Sequence, residues 1–268
     1  MAWREDAHFN QVQVDKIKNP NGLSTSLART NLAKRLRSLG NDYTFEDFCN
    51  VISAQLKGGG AATGTGGDEN VLHAGLNIFE YHILGTQTIT SPAQHADGLN
   101  IGMDQTENDG VELGQGITSV CKHAFTVGTA DAFFFRVKFM ITNVSGTDDC
   151  AIGFRKAEAY QANIDDYDEM AALNVISGNI TIETILNAGA TSPTDTTDDW
   201  ADAETHELEV RIDGAGNATF LIDGAAPTTT ATFQFDAAEV VVPFFYFLHA
   251  AAPVAGAVVI KEWECGYL

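Results

Sequence analysis

Residues 206–224, HELEVRIDGAGNATFLIDG, alternate apolar and polar side chains on either side of a turn sequence. Leu208, Val210 and Ile212 fall on one side of an extended chain, and Glu207, Glu209 and Arg211 on the other. Asp213, Gly214, Ala215, Gly216 and Asn217 supply the turn. Phe220 and Ile222 then return the apolar side. This pattern specifies a hairpin with one dry face and one wet face. A chain that contains it must supply a second apolar layer for the dry face to pack against.

The rest of the chain offers such a layer. Short β-rich runs separated by turn clusters predict strands at 119–127, 132–142, 151–155, 172–176, 179–185, 206–212, 218–222, 231–235, 241–249 and 257–265. Upstream, VLHAGLNIFEYHIL from residue 71 reads as one or two further strands, with short candidates near 99–101 and 111–113. The expected architecture is mainly β, an antiparallel β-sandwich of the jelly-roll kind over 71–268.

Residues 24–56 read differently. Ser24 can cap a helix with Ala28, Leu32, Leu36 and Leu39 along one face and Arg29, Lys34, Arg35 and Arg37 beside it. Thr44 can cap a second, with Phe45, Phe48, Ile52 and Leu56 as its apolar stripe. Two short helices cannot bury both stripes by themselves. The expectation is a small helical N-terminal arm over 1–57 that docks on something else. GGGAATGTGG follows, and residues 58–70 are expected to be a flexible linker. A phosphate loop is excluded, since there is no Gly-Lys-Ser/Thr ending and Asp68 and Glu69 come next.

Charge divides the chain at the same place. The formal net charge is -21, and residues 1–57 are slightly basic while the remainder carries the acidity. Such a body repels nucleic acid and anionic membrane. The first residues lack the apolar run of a signal peptide, and no stretch is apolar for long enough to span a bilayer. Cys49, Cys121, Cys150 and Cys265 show no metal-binding or redox spacing, so all four are expected to be free thiols.

The hairpin, with PFFYFL (243–248) and GAVVIKEWECGYL (256–268), resembles the concanavalin A-like lectin/glucanase sandwich over roughly 119–268. The resemblance implies the fold. It leaves function open, because that fold hosts lectins, hydrolases and structural modules. Glucanases of the family place Glu-x-Asp-x-Glu along one strand. The nearest match here, Glu207-x-Glu209-x-Arg211, breaks at the third position and reads as a wet strand face. The seven histidines are dispersed. No catalytic residue is assigned, and the chain is expected not to be an enzyme.

Two ligand candidates remain. Asp165, Asp166 and Asp168 form the acidic loop best suited to calcium; no other cofactor is indicated. Trp200, flanked by carboxylates in TDDWADAE, is the aromatic best placed to stack on a sugar, with Tyr160, Tyr167, Tyr246 and Trp263 as further platform residues. A sandwich without catalytic residues, joined to a basic docking arm, suggests a virion accessory protein. The expected role is capsid decoration or cement: a homo-oligomer made in the host cytoplasm and carried on the virion. It would attach to the major capsid protein, or another virion protein, through Leu32, Arg35, Leu36, Leu39, Phe48, Ile52 and Leu56. A carbohydrate-binding module is the alternative, and a glycoside hydrolase of the same fold the third reading.

Overall fold

The computed structural model describes residues 34, 37, 43–48, 51–55, 63–65, 69–74, 77–88, 93–95, 98–101, 106–115, 123–128, 131–251 and 258–268. For 51–55, 63–65, 69–74, 86–88 and 93–95 it describes the backbone alone. The strands in chain order begin with β1 (Tyr43–Glu46), β2 (Val51–Gln55), β3 (Thr63–Thr65), β4 (Glu69–Ala74), β5 (Asn77–Leu84), β6 (Thr86–Thr88), β7 (Ala93–His95), β8 (Gly98–Asn100) and β9 (Gly110–Gly114). Then follow β10 (Phe125–Thr126), β11 (Phe133–Ile141), β12 (Thr147–Lys156), β13 (Met170–Ile176) and β14 (Asn179–Ile185). The last are β15 (Ser192–Asp199), β16 (Thr205–Ile212), β17 (Ala218–Ile222), β18 (Val240–His249) and β19 (Val258–Tyr267).

They form two large antiparallel sheets and, from β3 and β6, a separate two-stranded one. Of the two large sheets, the smaller has the order β17-β16-β11-β19-β8-β7, with β1 also paired to β19. The larger runs β15-β14-β13-β12-β18-β9-β5-β4-β2, with β10 on β18. The core lies between them. Phe133, Phe135, Val137 and Phe139 of β11 meet Ile152 and Phe154 of β12 and Phe245 and Phe247 of β18. Leu208, Val210, Ile212 and Phe220 complete it, so the 206–222 hairpin buries the face its alternation assigned. The sandwich expected from the sequence is the observed fold.

The expected second helix is not there. Residues 43–46 and 51–55 are strands. Tyr43–Glu46 lies antiparallel on Trp263–Gly266, and Val51–Gln55 pairs with β4. A four-residue apolar spacing fits a helix stripe, but Phe45 and Phe48 each find a separate apolar site. Phe45 joins Tyr43 and Phe134 on the outer face of the smaller sheet. Phe48, at positive φ, drops into the main core against Phe79. Tertiary burial overrides the local pattern. Among the described residues, strands of the sandwich therefore occur upstream of residue 71, from Tyr43 on, and part of the expected linker is strand, Thr63–Thr65 pairing with β6.

Of the first expected helix, Lys34 and Arg37 are described and helical. A three-residue spacing puts both on one face, and that face meets the sandwich. Lys34 Nζ lies 2.7 Å from Glu264 and 4.7 Å from the centre of the Phe45 ring. Arg37 stacks over Tyr43 and donates to the Tyr267 carbonyl at 3.0 Å. Leu32, Arg35, Leu36, Leu39 and Leu56 lie outside the described residues, as do Cys49 and Cys121. Cys150 and Cys265 are buried free thiols.

Candidate functional site

The outer face of the larger sheet carries the polar side chains that the core does not use. Alternation along β12, β13 and β14 turns Asp149, Asn174 and Glu183 to this face while Cys150, Leu173, Val175 and Ile182 point into the core. A bulge in β12 between Thr147 and Asp149 sets that register against β18. The bulge lies just beyond the end of the β12–β13 ladder, which stops at Ala151 and Asn174. There the side-chain oxygen of Asn174 accepts from the Cys150 N–H at 2.9 Å.

The same side chain binds two carboxylates. Asn174 Nδ2 donates to Asp149 Oδ1 at 2.6 Å and to Glu183 Oε2 at 2.9 Å. Asn174 is fully buried, so it fixes both acids from beneath. Above them opens a cavity of about 530 Å³. Asp148, Asp149, Asp165 and Glu183 line it, with the carboxamides of Asn108 and Asn163. Ile176, Leu248 and Ala162 supply the apolar part of its wall. Asp165 is steadied by the Thr191 hydroxyl at 2.6 Å, and Asn163 by accepting from the Asp165 amide at 3.2 Å.

Burial raises the Asp149 carboxyl to about 6, with Asp148 and Asp165 adding to the effect and Asn174 opposing it. Burial likewise raises Glu183 to about 7, with Asp149, Asp165 and Asp148 contributing. An acid whose folded pKa exceeds its unfolded value favours folding while protonated. That advantage is lost as pH rises from its unfolded pKa through its folded one. For Glu183 the window runs from about pH 4.5 to about pH 7. Glu183→Gln should therefore raise stability at pH 8 by about 1–3 kcal/mol and change it little at pH 4. Thermal unfolding at the two pH values checks this. An equal effect at both would show that the carboxylate is not penalised by its surroundings.

Beside the cavity the same sheet face is covered. Segment 157–169 crosses it and buries Ile164 and Tyr167 against Met170, Phe244 and Tyr246. Its anchor is an ion pair: Arg155 and Glu112 are both fully buried and 2.7 Å apart. Tyr167 donates to the second oxygen of Glu112 and lies under the guanidinium. Tyr246 holds the Ala162 carbonyl at 2.9 Å.

The residues singled out in the sequence fall elsewhere, with one exception. Trp200 is 2 % exposed. It packs on Phe139 and His206 and gives its ring N–H to the Glu204 carbonyl, so it has no open face for a sugar. Trp263 is in the same core, Tyr167 and Tyr246 are buried in the cluster that segment 157–169 covers, and Tyr160 is partly buried with its ring stacked on His82, so the expected stacking platform does not form. The calcium set is split. Asp165 faces the cavity, Asp166 is exposed, and Asp168 pairs with Lys156 at 3.5 Å. Among the described residues no group of three or more His, Cys, Asp or Glu is arranged to hold a metal ion. Phe48 is core rather than docking surface, and Ile52 lies in β2. Glu207 and Glu209 stand on the outer face of the smaller sheet, paired with Arg136 and Arg211. Arg136 reaches Glu207 across the β11–β16 ladder, while Arg211 and Glu209 pair along β16 itself and Glu209 is buried, so the face read as wet is only partly so.

Asn174 and Glu183 went unnoticed in the sequence, and Asp149 stood out only as one of a pair of acidic residues with Asp148. Two signals were there. A lone Asn interrupts the apolar run MAALNVI, and Glu183 falls on the polar side of NITIETI. Asp149 sits in an acidic pair that looks like a loop until the bulge is seen.

No protein-family model matches this sequence, and no curated protein matches it. Among solved structures, the chain is similar to the carbohydrate recognition domain of Emp46p in its potassium-bound form. The identity is 9 % and the TM-score 0.47, over 69 % of this chain and 88 % of that one. It is similar to an alginate lyase from Pseudomonas aeruginosa at 12 % identity and TM-score 0.48, over 68 % and 92 %. It is similar to a Bacillus licheniformis beta-glucanase at 10 % identity and TM-score 0.45, over 85 % and 99 %. No residue role is taken from any of them.

Proposed function

We propose that the chain is a non-catalytic saccharide-binding module whose site is the cavity at Asp149, Asn174 and Glu183. The observation that carries this is the pair of carboxylates held by one buried amide at the wall of an open polar cavity. Small-molecule sites occupy about 300–1,000 Å³, and this one falls within that range. Its lining is dominated by acceptors, so it suits a ligand rich in hydroxyl donors rather than an apolar one. Carboxylates accept such hydroxyls in charge-assisted bonds. Asn108 and Asn163 add groups that both donate and accept, while Ile176 and Leu248 offer apolar surface to ring C–H groups.

A charge-assisted hydrogen bond contributes about 1.5–3 kcal/mol. Glu183→Gln is thus expected to weaken saccharide binding by about 10- to 100-fold. Glycan-array screening followed by titration calorimetry on wild type, Glu183→Gln and Asp149→Asn tests it. The site assignment fails if both variants bind as wild type does. Release of reducing ends from a bound polysaccharide would make the chain an enzyme instead.

The capsid-decoration role expected from the N-terminal segment now depends on Leu32, Arg35, Leu36, Leu39 and Leu56. Among the described residues no contact speaks for it. Co-sedimentation with assembled capsids is its test. Among the described residues no helix is long and apolar enough to cross a membrane.

A further inference from the structure

We infer that the cavity selects saccharides that carry positive charge, namely amino sugars with a free ammonium group, over neutral and acidic ones. This rests on the saccharide-binding reading and adds the ligand class to it. The lining includes four carboxylates and no Lys, Arg or His. The two cations that end β12 are committed elsewhere. Arg155 is buried against Glu112, and Lys156 lies 3.5 Å from Asp168 and 3.4 Å from Glu239.

A neutral sugar entering this cavity offers Asp149 and Glu183 hydroxyl donors but no counter-charge, and a carboxylate taken from water without an opposite charge is costly. An acidic sugar adds a like charge to four others, which is the repulsive element that specificity calls for. An ammonium group brings three donors and one positive charge. It can bond the two acids together, with Asp148 and Asp165 at the rim adding to its attraction. Low exposure of Glu183, at 6 %, limits how far solvent and salt weaken that attraction.

Burial, with the neighbouring carboxylates, raises both Asp149 and Glu183. A cationic ligand favours their ionised forms and so should release protons on binding, whereas a neutral ligand should release fewer.

The experiment is calorimetry of the full chain, in the presence of a chelator, with three tetrasaccharides of similar length. One is a glucosamine oligomer with free amines, one its N-acetylated counterpart, and one a galacturonate oligomer. Each is titrated in two buffers of different ionisation enthalpy. The glucosamine oligomer should bind at least tenfold more tightly than the acetylated one and release protons, and the uronate should not bind. In Glu183→Gln and in Asp149→Asn, checked by thermal unfolding, the preference should fall towards unity while acetylated binding changes less. Equal affinity for the free and acetylated oligomers, or tighter binding of the uronate, overturns the charge selection and leaves the saccharide reading standing. Binding of none of the three, or of any array glycan, overturns both.

Discussion

Replacing Glu112 by alanine is expected to cost the fold about 3–5 kcal/mol, a large share of the stability of a typical domain. The side chains of Glu112 and Arg155 are both wholly shielded from solvent. Without Glu112, a guanidinium remains in the interior with backbone carbonyls of Lys156 and Glu158 as its acceptors. Tyr167 loses its acceptor at the same time. Removing one member of a buried pair leaves an uncompensated charge, whereas replacing both by apolar groups of similar volume is often close to neutral. The double variant Glu112→Leu with Arg155→Met should therefore lose far less than Glu112→Ala alone. Urea unfolding of the three proteins decides the matter. A single variant within about 1 kcal/mol of wild type would show that water reaches the pair.

Deleting residues 1–57 is expected to prevent the sandwich from reaching its native state. The sequence suggested the reverse, a dispensable arm. Yet β1 is hydrogen-bonded along β19, and Asn77 donates to the Phe45 carbonyl and to Glu46. Phe48 is fully buried against Phe79, which in turn meets Trp263. Loss of that one ring, as in Phe48→Ala, should cost about 3–5 kcal/mol, and the deletion also strips two strands. Cooperative thermal unfolding of fragment 58–268 at the temperature of the full chain would show that β1 and β2 are peripheral. A broad transition, or none, supports their place in the core.

The part of the fold legible in the sequence was the part where alternation is clean. Leu208, Val210 and Ile212 announce their face because Glu207, Glu209 and Arg211 announce the other. β14 and β17 were read at their observed limits, Asn179–Ile185 and Ala218–Ile222. Where the environment differs from the local pattern, the reading fails. Phe45 and Phe48 mimic a helix stripe because two separate apolar sites happen to recur at helical spacing. SPTDTTDD looks like a loop, but it is the edge strand β15, where polar residues on both faces, the buried Thr196 included, remove the alternation. The site was hidden for a related reason. Asp149, Asn174 and Glu183 come from three strands, and only the sheet register brings them together. Trp200 misled in the opposite sense, since its acidic neighbours lie at the surface while the ring turns inward.

The pairing of the first described strand with the last governs how the chain reaches its native state. The Tyr43 hydroxyl meets Glu264 across 221 residues of sequence. Contacts so distant cannot form until β19 has been made, and proteins dominated by them fold on the millisecond-to-second scale rather than in microseconds. On a ribosome, the Phe45 and Phe48 sites stay open until β19 has left the exit tunnel. Until then the nascent sandwich shows aromatic surface around β1, which makes the emergence of β19 the step that closes its core.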